Sequence, residues 1–164
     1  MKKNTIYTSY EVFSDPLDLI ESERNLLNKA LEACESSYSP YSGFAVGAAI
    51  LLENDELILG NNQENAAYPS GLCAERVAIY WAGANRKGIK IKAIAVRATS
   101  KKVDTAHPIP PCGACRQAML EYELNQSEDI TLLMQGESGD IIRLVGIKQL
   151  LPLYFNEEGL KANT

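Results

Sequence analysis

Apolar positions in this chain change period several times, and the changes mark its elements. From 14 to 37, in "SDPLDLIESERNLLNKALEACESS", Leu27, Leu31 and Cys34 share one helical face, Ser14 can cap and Pro16 suits a first turn. The segment therefore predicts a helix. "FAVGAAILLE" and "ELILGNNQEN" read as two strands around the turn Asn54-Asp55, hence a hairpin. A second helix is expected from about Leu72 to Lys87, stopped by Gly88. "IKAIAVRA" is a strand with a near-continuous apolar core, followed by a polar loop that reaches Pro111. A third helix covers about Gly113 to Asn125, and "DITLLMQ" and "DIIRLVG" are strands around Glu137-Ser138-Gly139. A short C-terminal helix is expected after them.

The order α-β-β-α-β-α-β-β predicts a layered α/β domain, a mixed β-sheet of about five strands with helices packed on its faces. With no repeat, low-complexity tract or linker in the sequence, 164 residues read as one domain over 14–164, preceded by a poorly specified arm over 1–13. Both of the cysteine-bearing motifs, "YPSGLCAERVAIYWAG" and "PIPPCGACRQAML", fall at loop-to-helix junctions.

Composition narrows the possible roles. Hydrophobic residues make up 46% and charged residues 23%, as in ordinary globular proteins. No apolar run approaches the roughly 18 to 20 residues that span a bilayer. No continuous apolar segment follows Lys2 and Lys3, so neither a signal peptide nor a membrane partner is expected and the cytoplasm is the expected location. Net charge is −5, without a basic stripe, which argues against a nucleic-acid polymer as partner and permits a small neutral substrate. In a reducing compartment, four cysteines favour metal binding or catalysis over disulfides.

Cys73, Cys112 and Cys115 are the candidate metal ligands. A C-x-x-C opening a helix can aim two sulfurs at one point, and the helix's positive end favours thiolate over thiol. Three protein ligands leave a position open for water, as in a catalytic zinc site, whereas a structural site usually takes four. His107, the single histidine, offers a fourth ligand but belongs more naturally to a Pro-rich surface loop, and Cys34 belongs to a helix's apolar face. Three thiolates and Zn²⁺ sum to −1, which makes a bound water harder to ionise. Arg76 and Arg116, each next to a site residue, are expected to offset that charge. Glu75, two positions from Cys73, can face the open position and move protons without itself binding metal. An isolated Glu at a helix start is ordinarily just a partner of the dipole; beside three candidate ligands the chemical reading is preferred.

At this point the chain resembles the small, zinc-dependent cytidine deaminases. The likeness runs from about Tyr38 to Phe155 through "YSPYSGFAVGAAI", "GNNQENAAY", "CAER", "PCGACRQ" and "LLPLYF". The general pattern of Cys₃ or His/Cys₂ ligands with a non-ligating Glu is that of zinc deaminases. The resemblance implies a hydrolase of pyrimidine salvage that converts cytidine and deoxycytidine to uridine and deoxyuridine with release of ammonia. It implies one Zn²⁺ per chain on Cys73, Cys112 and Cys115, with Glu75 as proton shuttle. It further implies that Asn62 and Glu64 grip the ribose hydroxyls and that Phe44 packs against the base. The Ala74 backbone would contact the pyrimidine and the Pro110 carbonyl would hold the exocyclic amine. Phe155 would reach into a neighbouring subunit's site, within a homotetramer of the family's short form. Taken singly, Asn62 reads as a turn former, Glu64 as a solvated charge and both phenylalanines as packing residues.

The sequence departs from the family pattern at three positions. Gln63 stands where an aliphatic residue is expected, Asn61 where a small residue or Cys is common, and Pro110 where Ser or Thr often stands; proline keeps its carbonyl. The arm and the loop "SKKVDTAHPI" lie outside the likeness. Two rivals remain at this point: a sister deaminase acting on another aminated heterocycle, and a structural zinc module serving protein interaction.

Overall fold

Two-residue alternation along the central strands explains the layering of the computed structural model, which describes residues 1–156. Ala48, Ile50, Leu52, Ile94 and Val96 face one side of the sheet, and Ala49, Ala93 and Ala95 the other. Both sides are buried, which is why these strands read as apolar runs and not as strict alternation.

Among the described residues the sheet has six strands: β1 (Glu11–Phe13), β2 (Phe44–Leu52), β3 (Leu57–Asn61), β4 (Ile91–Ser100), β5 (Thr131–Gln135) and β6 (Ile141–Val145). Their spatial order is β1-β6-β5-β4-β2-β3; β4 and β5 run parallel and every other pair is antiparallel. Helix α1 (Glu21–Glu35) covers one face, while α2 (Ala74–Asn85) and α3 (Gly113–Gln126) cover the other. The mixed α/β sandwich is the expected class, with one more strand than the expected five. The extra strand is β1, formed by the end of the N-terminal arm against β6 and tied by the Glu11–Arg143 ion pair. Three residues are too few for a period to register, and only the exposed edge of β6 makes them a strand. Positions 157–164 of the expected domain lie outside the described residues.

The first helix also starts later than expected. Asp15, not Ser14, accepts from Leu17 N, and it caps only the short 3-10 turn Pro16–Asp18. Ser14 Oγ instead donates to Asp140 at 2.9 Å. Leu19 and Ile20 are extended, so α1 begins afresh at Glu21. The expected C-terminal helix is a 3-10 turn, Ile147–Leu150.

Two glycines permit the close layering. A Cβ on Gly47 would stand 1.9 Å from Ala30 O of α1. A Cβ on Gly60 would stand 2.6 Å from both Ala74 O and Ala78 N, so Gly60 is what lets the first turns of α2 lie directly on β3. On the same face, the Glu123 carboxylate of α3 is only 3% exposed and accepts from Ile130 N, Ile147 N and Lys148 N at 2.9, 2.6 and 3.0 Å. It joins α3 to the entry of β5 and to the C-terminal turn.

Glu123→Ala leaves those buried donors unpaired and is expected to lower the free energy of urea unfolding by about 3 kcal/mol. Glu128→Ala, which removes only an exposed ion pair with Lys90, should leave the urea midpoint essentially where it is in the parent.

Candidate active site

The N-termini of α2 and α3 open side by side beneath the sheet, and the three cysteines sit in those openings. Cys73 is the N-cap of α2, Cys112 is the N-cap of α3, and Cys115 lies in the first turn of α3. Neither cap side chain is spent on the helix backbone, so both sulfurs are free to face each other. The Cys73 and Cys112 sulfurs are 3.8 Å apart, those of Cys112 and Cys115 are 3.4 Å apart, and all three lie within 4.8 Å of one another. Four ligands about 2.3 Å from a tetrahedral zinc stand about 3.8 Å from each other, so the donors fit that ion in both type and spacing. His107 is not among the grouped donors. Cys34 is buried between α1 and β4, its sulfur 3.5 Å from Ala30 O and Arg97 O, and burial pushes its thiol up to about 11.

Electrostatics in the cluster are uneven. Hydrogen bonds, first from Cys115 and then from Arg76, hold the Cys73 thiol down at about 5, whereas the hydrogen bond to Cys73 and burial raise that of Cys115. Arg76 Nη2 donates toward the Cys73 sulfur at 3.7 Å. Its Nε is buried without a partner among the described residues. Arg116 is used differently: Nε donates to Pro111 O at 2.8 Å and Nη1 to Leu150 O at 3.1 Å. Its hydrogen bonds thus brace the backbone just before Cys112 against the C-terminal turn and do not reach the sulfurs. Glu75 is 4% exposed, and burial is the main cause that raises its proton affinity.

A cavity of about 570 Å³ opens beside the sulfurs, and Phe44, Asn62, Glu64, Glu75 and Pro110 are among the residues lining it. That size is typical of a small-molecule site. Asn62 sits just past the end of β3, where its side chain imitates one more rung of the ladder. Oδ1 accepts from Val46 N at 2.8 Å and Nδ2 donates to Phe44 O at 2.9 Å. Glu64 accepts from Tyr41 N at 2.8 Å, Ser42 N at 3.3 Å and Ser42 Oγ at 2.5 Å. These bonds, the Ser42 hydroxyl foremost, keep its carboxyl below the usual range. Both side chains are locked by backbone contacts yet retain lone pairs or a proton for a ligand.

The other expected residues are distributed as follows. Ala74 is fully buried against β3 and does not line the cavity. Phe155 is 66% exposed and outside the cavity of its own chain, with its carbonyl held by Gln117 Nε2 at 3.1 Å. Gln63 pairs through its backbone with Leu72, next to Cys73, and its amide donates to Asn61 Oδ1 at 2.5 Å, so two of the three departures from the family pattern bond to each other. Sequence reasoning passed over Ser42, Tyr68, Leu72 and Ile109, all of which line the cavity. Ser42 stands in the quoted "YSGF" and was open to notice as a hydroxyl beside Phe44; the others are brought in by chain folding alone.

Comparisons with known proteins agree with this arrangement. The family model for the cytidine and deoxycytidylate deaminase zinc-binding region matches residues 20–127. The cytidine deaminase of Halalkalibacterium halodurans is 40% identical over 135 residues, covering 82% of this chain and 95% of that protein. That of Sporosarcina psychrophila is 40% identical over 136 residues, covering 82% and 92%. Among solved structures, cytidine deaminase from Burkholderia pseudomallei superposes with a TM-score of 0.69 at 35% identity, covering 84% of this chain and all of that one. The enzyme from Mycobacterium tuberculosis superposes with a TM-score of 0.62 at 27% identity, covering 84% and 98%.

Cobalt(II) added to the metal-free protein should give the intense visible bands of a tetrahedral thiolate site. Cys73→Ala, Cys112→Ala and Cys115→Ala are each expected to weaken metal binding by at least about tenfold, by loss of one ligand from the set. Cys34→Ala should leave the cobalt spectrum unchanged.

Proposed function

Because the chain belongs to the cytidine and deoxycytidylate deaminase family, we propose that it hydrolyses cytidine and deoxycytidine to uridine and deoxyuridine with release of ammonia. The observation that carries this reading is the buried Glu75 carboxylate beside three convergent thiols, at the floor of a cavity lined by Asn62 and Glu64.

Cys73, Cys112 and Cys115 would hold one zinc ion, which supplies a water acidic enough to act as nucleophile near neutral pH. Glu75 takes up the proton that this water must lose and hands it to N3 of the cytosine. It then takes the remaining proton from the new C4 hydroxyl and delivers it to the C4 amine, which leaves as ammonia as the C4 carbonyl forms. Each pass through the site therefore needs a group that accepts and releases protons near pH 7. Burial raises Glu75 in that direction, while its place in the first turn of α2 keeps the ionised form accessible. Arg76 offsets the negative charge of the sulfurs through its contact with Cys73. Asn62 and Glu64 bind the sugar hydroxyls, Phe44 packs on the base and the Pro110 carbonyl accepts from the exocyclic amine, whereas the buried Ala74 is left without the expected contact to the pyrimidine.

The same family membership supports a homotetramer working in pyrimidine salvage in the cytoplasm. No helix of the described residues is long and apolar enough to cross a membrane. Tyr80 and Trp81 on α2 are 47% and 45% exposed, large apolar area of a kind that subunit contacts bury. In that assembly Phe155, which is exposed and held at its carbonyl by Gln117, would enter a neighbour's cavity. Light scattering is then expected to report four times the 18.0 kDa chain mass.

Ammonia release from cytidine and deoxycytidine by the zinc-loaded protein tests the reaction. Glu75→Gln should lower kcat by about 10²- to 10⁴-fold with one zinc per chain retained. A parent that holds zinc but turns over neither nucleoside would overturn the substrate assignment.

A further inference from the structure

The first part of the loop between β4 and α3, residues 101–107, plays no part in the reaction just described, yet it grips the rim of the cavity. Ser100 Oγ donates to Gly43 O at 3.0 Å and accepts from Lys102 N at 3.1 Å, which turns the loop back over the Tyr41–Phe44 turn. Lys102 Nζ donates to Tyr41 O at 3.3 Å, and its stem lies over Gly43. A Cβ on Gly43 would stand 2.9 Å from Lys102 Cε, and its φ of +67° is one that side chains rarely adopt, so the turn is shaped to receive this lysine.

The loop is itself rooted. Thr105 is 2% exposed and its carbonyl accepts from Glu137 N at 2.9 Å. Arg97 of β4 fixes the same corner through Gly136 O at 2.7 Å and Glu137 O at 2.9 Å. Lys102 therefore projects from a base that is tied to the sheet.

On its opposite side the Tyr41–Phe44 turn holds Glu64, through Tyr41 N, Ser42 N and Ser42 Oγ. Ser42 Oγ also accepts from Phe44 N at 2.9 Å, so the base-facing phenylalanine and the sugar-facing glutamate hang from one hydroxyl. The turn is thus clasped between Lys102 and Glu64. The Lys102 charge is close enough to add to the lowering of the Glu64 carboxyl.

Resting on the proposed sugar contacts of Asn62 and Glu64, we propose that Lys102 is a positioning residue for the nucleoside's sugar. It seats the Tyr41–Phe44 turn and thereby fixes where the Glu64 carboxylate stands, which contributes to selection of a hydroxylated pentose. Lys102 touches neither the thiols nor Glu75, so its effect falls on substrate binding and not on the proton transfers.

Steady-state kinetics of the zinc-loaded protein with cytidine and with 2′,3′-dideoxycytidine test the assignment. Lys102→Met is expected to raise KM for cytidine about three- to tenfold, with kcat within about twofold of the parent, as for loss of one binding hydrogen bond. KM for the dideoxynucleoside, which keeps the base contact to Phe44 but has no diol to grip, should rise by less than about twofold. Lys102→Arg, which keeps a cationic donor, should restore KM to within about twofold. Glu64→Gln is measured alongside and should show the same dependence on the diol, more strongly. If Glu64→Gln discriminates between the two nucleosides and Lys102→Met does not, the positioning role is overturned while the sugar contacts stand. If neither variant discriminates, the sugar reading falls and the Lys102 assignment falls with it.

Discussion

Three thiols packed within a few ångströms resist ionising together, and the site depends on how the fold makes that arrangement tolerable. Two helix N-termini converge there, each contributing the positive end of its dipole and unpaired N–H groups to the same small volume. Arg76 adds a full positive charge at the Cys73 sulfur. The convergence in turn requires α2 to lie nearly in contact with β3, which only a residue without a side chain at position 60 permits. A backbone approach of this kind, and not any single contact at the cysteines, is what brings residues 39 positions apart in the chain to 3.8 Å.

Buried and half-buried polar side chains of the α2–α3 face and the cavity wall serve the backbone more than the chemistry. Glu123 gathers three N–H groups from two separate segments, and Arg116 joins the carbonyl before Cys112 to the C-terminal turn. Asn62 extends the β2–β3 ladder by one rung before it offers anything to a ligand. In each case satisfying a backbone group also removes rotamer freedom from a functional neighbour. The cavity walls are consequently set before substrate arrives, which reduces the ordering cost of binding.

Much of this was legible in the chain itself. The apolar runs of β2 and β4, the Asn54-Asp55 hairpin and the helix starts at Cys73 and Cys112 follow from period, turn chemistry and capping, which act over a few residues. The reading of Cys73, Cys112 and Cys115 as one group with Glu75 beside it also came from local spacing, because a cysteine at a helix start has a distinctive neighbourhood. The Ser14 cap and the long first helix did not hold, since Asp140, from the far end of the chain, takes the Ser14 hydroxyl. The short strand β1 was invisible because its pairing partner lies about 130 residues away, in β6.

What the sequence by itself determined, then, is which residues carry chemistry and which elements present them. Helix capping, two-residue alternation and thiolate affinity for soft metals are properties of short segments and survive in any fold. The tertiary structure alone decided the destinations of the long polar side chains. Arg76 and Arg116 both stand near the start of a cysteine-capped helix, yet one meets a sulfur and the other meets two carbonyls. Lys102 and Ser42 reach the cavity rim only because β2 and β4 pair edge to edge and bring their loops together. A flexible charged side chain several bonds long has no preferred partner written near it in sequence, and its choice is settled by whichever unsatisfied group the packed backbone leaves within reach.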